Sequence, residues 1–132
     1  MKRFFLTMAA IAVTAMPATA TAKNNLEGRW KNGKMEIVIA PCGGKLCGTV
    51  VKASPKQQAK AERGSGTDLV GARVISNIRA AGAGTYRADV FVADKNVNAR
   101  GTIREVSADR LSVRGCVLAI ICKTTNWDRI SR

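Results

Sequence analysis

Residues 86–114 read YRADVFVADKNVNARGTIREVSADRLSVR, and the period of this stretch decides the fold. Tyr86, Ala88, Val90 and Val92 alternate with Arg87, Asp89 and Phe91. Asp94 to Asn98 is polar and turn-like. Ala99, Gly101 and Ile103 then alternate with Arg100, Thr102 and Arg104. After a turn at Ser107-Ala108-Asp109, Leu111 and Val113 alternate with Arg110, Ser112 and Arg114. A period of two sends successive side chains to opposite faces of a strand. Three consecutive strands are therefore expected, with Tyr86/Ala88/Val90, Ala99/Gly101/Ile103 and Leu111/Val113 facing inward. As neighbours in a meander they would gather Arg87, Arg100, Arg104, Arg110 and Arg114 on one outer surface.

The same rhythm extends in both directions. Upstream, Met35, Ile37 and Ile39 form a strand, Pro41 to Gly44 turns the chain, and Leu46 to Ala53 returns as its hairpin partner. Ala72 to Ile78 is rich in β-branched residues, and Gly82 to Gly84 is a turn. Downstream, Ile120 to Ile130 makes a last strand. Pro55 to Arg63 is the one helical candidate, with proline suited to a first helical position and Gln57 to Glu62 good helix formers. Its apolar content is alanine alone, which predicts a shallow surface excursion. Seven or eight short strands at regular spacing predict an antiparallel sandwich or barrel.

Four cysteines bear on how so small a domain holds together: Cys42, Cys47, Cys116 and Cys122. They allow three pairings. By loop entropy a long bridge from Cys42 to Cys122 would stabilise more, about 4–5 kcal/mol against about 2 for a local one. Proximity favours the local pairs. Cys42 and Cys47 enclose the tight turn Gly43-Gly44-Lys45-Leu46, and Cys116 and Cys122 enclose a similar loop. Residues facing one another across a hairpin have Cα separations near those a disulfide needs. With no histidine in the chain and no zinc-ribbon spacing, metal binding is not expected.

Disulfides fit the start of the chain. Lys2 and Arg3 precede an apolar run from Phe4 to Met16, and Ala18, Ala20 and Ala22 offer small-residue cleavage sites. This is the pattern of a secretory signal peptide, with cleavage after Ala22 or, alternatively, Ala20. The run is shorter than the roughly 20 apolar residues of a spanning helix. The expectation is a signal over residues 1–22 and a single domain over 23–132, periplasmic or secreted, with no membrane span in the mature chain. The precursor carries 22 basic and 9 acidic residues, a net +13, and loses Lys2 and Arg3 but no acid with the signal, leaving +11. A charge of that sign favours anionic partners such as lipid head groups, lipopolysaccharide or acidic glycans.

The two ends of the domain choose between sandwich and barrel. Gly28-Arg29-Trp30 opens the first strand, and Trp127-Asp128-Arg129 closes the last. An arginine plane stacks well on an indole face. The arrangement resembles lipocalin-like barrels, in which a Gly-x-Trp on the first strand packs near a basic residue from the last. The resemblance widens to almost the whole mature chain. Gly28-x-Trp30, then Pro41-Cys42-Gly43-Gly44-Lys45-Leu46-Cys47-Gly48, then Gly115-Cys116-Val117-Leu118, Cys122 and Trp127-x-Arg129 are similar to a small exported bacterial family, domain of unknown function 2147. That resemblance implies a small antiparallel lipocalin-like β-barrel closed by Gly28, Trp30, Trp127 and Arg129, and it implies no reaction. The chain departs from the family's usual aspartate-proline turn at Arg79 to Gly84, although Thr85-Tyr86 still follows.

Nothing in the sequence points to catalysis. The commonest general base, histidine, is missing, and oxidised cysteines are not nucleophiles. No two carboxylates are spaced to face one cleft, and no phosphate-binding glycine loop or serine elbow occurs. Two binding readings remain. In the first, the barrel carries a small apolar or amphipathic ligand, with Ala88, Ala99 and Gly101 leaving room inside. In the second, the core is solid and the arginine face holds an anionic envelope component. Against these stands the plainer possibility that the arginines are a solvated face. Nucleic acid is not expected, because the outward set has few aromatics to stack bases. No cofactor is expected.

Overall fold

The computed structural model describes residues 25–118 and 120–132; the expected signal peptide lies outside them. Eight antiparallel strands run in chain order and close on themselves: β1 (Gly28–Asn32), β2 (Met35–Cys42), β3 (Lys45–Lys52), β4 (Arg73–Gly82), β5 (Thr85–Val92), β6 (Val97–Ser107), β7 (Arg110–Val117) and β8 (Ile121–Ser131). Each strand pairs with the next, and β1 pairs with β8, which leaves no free edge. One helix, α1 (Pro55–Ser65), interrupts the meander between β3 and β4.

The alternation of residues 86–114 becomes the barrel wall. Ala88, Ala99, Gly101, Ile103, Leu111 and Val113 are buried, while Arg87, Arg100, Arg104, Arg110 and Arg114 are exposed. Trp30, Ile37, Ile39, Val50 and Leu26 complete the core from the first three strands and the segment before them. Phe91 departs from its outward register and packs against the core. The helix α1 is tied to the turn that follows β5, where Ser65 Oγ donates to the Ala93 carbonyl at 2.7 Å.

The helix itself is better built than its alanines suggest. Ser54 caps it, its side chain accepting from the Gln57 amide while the Gln57 side chain accepts from the Ser54 amide, a reciprocal capping box. Pro55 occupies the first turn, and Gly66 ends the helix in a left-handed conformation. Gln58 pins the segment that follows, its Oε1 accepting from the Leu69 amide at 2.8 Å. Ala61 is 1% exposed. A methyl side chain lets the helix backbone approach closely, so α1 is seated on the barrel and not a shallow excursion.

Both disulfides are local, Cys42–Cys47 and Cys116–Cys122, with Cα separations of 5.9 and 4.1 Å. Cys116 and Cys122 face each other directly in the β7–β8 register. Gly43 and Gly44 both take positive φ, 62° and 84°, the conformation a two-residue hairpin needs and glycine adopts without steric cost. The two bridges lie at opposite ends of the barrel, since strands β2 and β7 run toward different rims. Unreduced proteolytic mapping should therefore yield two separate cross-linked regions. A peptide joining the Cys42 region to the Cys116 region would contradict this pairing.

Candidate functional site

The barrel has one plugged end and one open end. At the plugged end, Trp30 on β1 and Arg129 on β8 are register partners, and the guanidinium carbon sits 4.2 Å from the indole centroid. Trp30 is fully buried, and its Nε1–H donates to the Leu26 carbonyl at 2.9 Å. Arg129 donates through Nε to the Ala108 carbonyl at 3.0 Å, through Nη1 to the Glu27 carbonyl at 2.8 Å, and through Nη2 to the Asn25 carbonyl. Its side chain is thus the tie between the incoming N-terminal segment and the β6–β7 turn. Asp109 adds a carboxylate at 3.6 Å. Burial pushes the guanidinium's pKa below the ordinary arginine value, and arginine still stays charged in proteins.

Gly28 fits this closure for a steric reason. Its φ is +140°, and a Cβ there would stand 2.5 Å from the Ser131 carbonyl oxygen and 2.7 Å from Arg129 Nη1. Beside the plug, the Tyr86 hydroxyl donates to Glu105 at 3.0 Å, and burial, then that bond, raises its pKa. Trp127 is placed differently from the other expected closure residues. Two positions along β8 from Arg129, it turns its ring toward the interior and lines the cavity described next.

At the open end the interior is hollow. A cavity of about 460 Å³ is bounded by apolar side chains of the later strands, among them Val90, Val92, Val97, Val113, Val117 and Trp127. The helix closes part of the mouth through Gln57, Lys60 and Ala61, and Leu69 follows from the loop behind it. Of the three residues expected to leave room, Ala99 lines the cavity, and Ala88 and Gly101 do not. A Cβ on Gly101 would meet Val90 at 2.7 Å, so Val90 already fills that space. The room lies instead at Ala99 and Gly115, both cavity-lining. A Cβ on Gly115 would find only Ala99 Cβ, at 3.7 Å.

The mouth is cationic. Lys60, Lys95 and Lys123 line it, against Asp94 as the one carboxylate among the lining residues. All three lysines are exposed, and none makes a salt bridge among the described residues. Sequence reasoning missed these lysines and Gly115. A signal for Lys123 exists, because Trp127, Thr125, Lys123 and Ile121 share one face of β8.

The five arginines lie where alternation sends them, on the outer wall of β5, β6 and β7. Thr102 stands between Arg87 and Arg114 in one cross-strand row, and Arg104 faces Ser112 in the next. The other two meet acids. Arg110 is paired with Asp128 at 3.1 Å, and Arg100 faces Asp89 across the β5–β6 register. The wall is therefore basic but partly neutralised. Among the described residues, no group of three or more His, Cys, Asp or Glu side chains could hold a metal ion, and no helix is long and apolar enough to cross a membrane.

Comparisons with known proteins agree with this architecture. No curated protein matches the chain. Among solved structures, it is similar to a protein described as "Protein HP1028 from the human pathogen Helicobacter pylori belongs to the lipocalin family", at 14% identity and a TM-score of 0.62, over 80% of this chain and 83% of that one. At that identity the likeness speaks for the fold alone. A family model, "Uncharacterized protein conserved in bacteria (DUF2147)", matches residues 24–129. That span takes in the plug from Gly28 to Arg129, both stapled hairpins and the cavity wall, so the chain belongs to the DUF2147 family and has a lipocalin-like barrel.

Proposed function

We propose that this protein is an exported, non-catalytic carrier or sensor that binds a small amphipathic ligand in the open end of its barrel. The observation that carries the reading is the cavity: about 460 Å³, apolar along its walls, plugged at one end and open at the other. Pockets for small molecules run roughly 300–1,000 Å³ and are mostly apolar with a few placed polar groups. Here those groups are the lysines at the rim, which favours a ligand with an apolar body and an anionic head. Two disulfides suit an oxidising compartment outside the cytosol. The arginine wall supports an envelope-binding role less well, because Asp128 and Asp89 already face two of its five arginines.

The test uses the neutral dye N-phenylnaphthylamine, which brightens in apolar surroundings, with the mature protein and its Gly115→Leu variant. Leucine at this inward position grows into open space beside Ala99. The variant should bind the dye at least about tenfold more weakly, since each 1.4 kcal/mol of lost contact is a factor of ten. Trp127 should transfer excitation to the bound dye. Equal binding by the two proteins would place the dye outside the barrel and overturn the reading.

A further inference from the structure

Among the described residues, seven large apolar side chains are exposed on this barrel, and the three most exposed fall within four residues: Leu118 at 82%, Ile120 at 85% and Ile121 at 70%. They belong to the tip of the β7–β8 hairpin. Isolated exposed apolar residues are ordinary, but a cluster on a projecting tip costs free energy in water and calls for a partner. The tip is held in shape. Cys116–Cys122 bridges the hairpin one rung below it, and Val117 pairs with Ile121 in between. Leu118 takes φ +56°, a left-handed turn conformation that asparagine or glycine fills at less cost. A leucine there keeps an apolar side chain at the apex.

The tip also has a position and a charge. Val117 and Ile121 line the mouth of the cavity together with Lys95 and Lys123. An apolar projection thus stands beside exposed ammonium groups on one rim of a strongly basic chain. Apolar insertion flanked by lysines is the combination that binds anionic lipid surfaces, neither part sufficing alone. A soluble protein partner would need a matching groove, whereas a bilayer accepts any rigid apolar tip with cations around it.

We infer that Leu118, Ile120 and Ile121 insert into the surface of an anionic lipid bilayer, with Lys95 and Lys123 on its head groups, so that the barrel mouth opens toward the membrane. This rests on the hairpin tip and not on the cavity's being filled. The bridge below the tip limits the ordering that binding requires.

The experiment is co-flotation of the mature protein with vesicles of phosphatidylglycerol and phosphatidylethanolamine, beside vesicles of phosphatidylcholine alone. The wild type should float with the anionic vesicles and be released as salt rises, because exposed charges are screened. A double variant, Leu118→Asn with Ile120→Ser, which leaves the cavity-lining Ile121 in place, should partition at least about tenfold less while binding N-phenylnaphthylamine like the wild type. That last comparison separates failure of the tip from failure of the cavity. An Ile120→Trp variant provides a reading in a folded, apolar-tipped protein, and brominated lipids should quench its added fluorescence. Wild type that stays in solution with anionic vesicles, a double variant that floats equally well, or added Ile120→Trp fluorescence untouched by brominated lipid would each overturn the inference. Release by a soluble protein but not by salt would also overturn it, in favour of a protein partner at the tip.

Discussion

Trp30→Ala should lower the unfolding free energy by about 3–5 kcal/mol, the range for truncating a large aromatic in a core. Three losses add. The indole is fully buried, so a cavity opens where the first and last strands meet. The hydrogen bond from Trp30 Nε1 to the Leu26 carbonyl, 2.9 Å long, is lost, and a typical intramolecular hydrogen bond contributes about 0.5–1.5 kcal/mol. Arg129 loses the apolar plate beneath its guanidinium, 4.2 Å away. Trp30→Phe separates these terms, since it keeps a ring under Arg129 but removes the N–H, and should cost distinctly less. Urea unfolding of the protein with its disulfides intact is the measurement. A change below about 1 kcal/mol, the level of surface sites, would show that the β1–β8 seam does not depend on this residue.

The wall is legible in the sequence because it rests on a local rule, whereas the plug, whose Trp30 and Arg129 meet only when β1 closes on β8, is legible only through the resemblance of the two chain ends to lipocalin-like barrels. Period-two alternation sorts Ile103 inward and Arg104 outward whatever the rest of the chain does, and the observed burial follows it. Cys116 and Cys122 flank a short hairpin, so their pairing follows from geometry in the chain itself. The cavity is less legible, because volume depends on which side chain fills which gap. Gly101 reads as empty space until Val90 is found leaning over it, and Gly115, also glycine, borders the real opening. The alanines of the helix mislead. Its capping box, Ser54 to Gln57, is a signal the sequence carries. Its seat on the barrel is not, since that depends on Ala61 being small enough to come close and on what lies opposite Gly64. Phe91 shares this fate: its register is outward by alternation, yet it packs against the core.

The second large effect is expected at that seat, and two principles oppose each other there. Gly64 lies in the last turn of α1. Helix propensity alone favours alanine over glycine by about 0.8–1.0 kcal/mol. The packing says otherwise. A Cβ on Gly64 would stand 2.1 Å from the Asp94 carbonyl oxygen, 2.3 Å from its carbonyl carbon and 2.7 Å from its Cα. These are main-chain atoms of the β5–β6 turn and cannot rotate aside. Helix or turn must therefore move, which breaks the Ser65 hydrogen bond to the Ala93 carbonyl and lifts Ala61 from the core. Overpacking of this kind costs about 1–3 kcal/mol, to which the lost bond adds about 0.5–1.5 kcal/mol. Gly64→Ala should therefore destabilise the protein by about 0.5–3.7 kcal/mol after the propensity gain is subtracted. Adding Asp94→Gly should not rescue it, because the obstacle is backbone. Since α1 covers part of the cavity mouth through Gln57, Lys60 and Ala61, the variant should also release N-phenylnaphthylamine faster than the wild type in stopped-flow displacement. A Gly64→Ala protein more stable than the wild type would mean that propensity wins and that the helix is not seated against the turn.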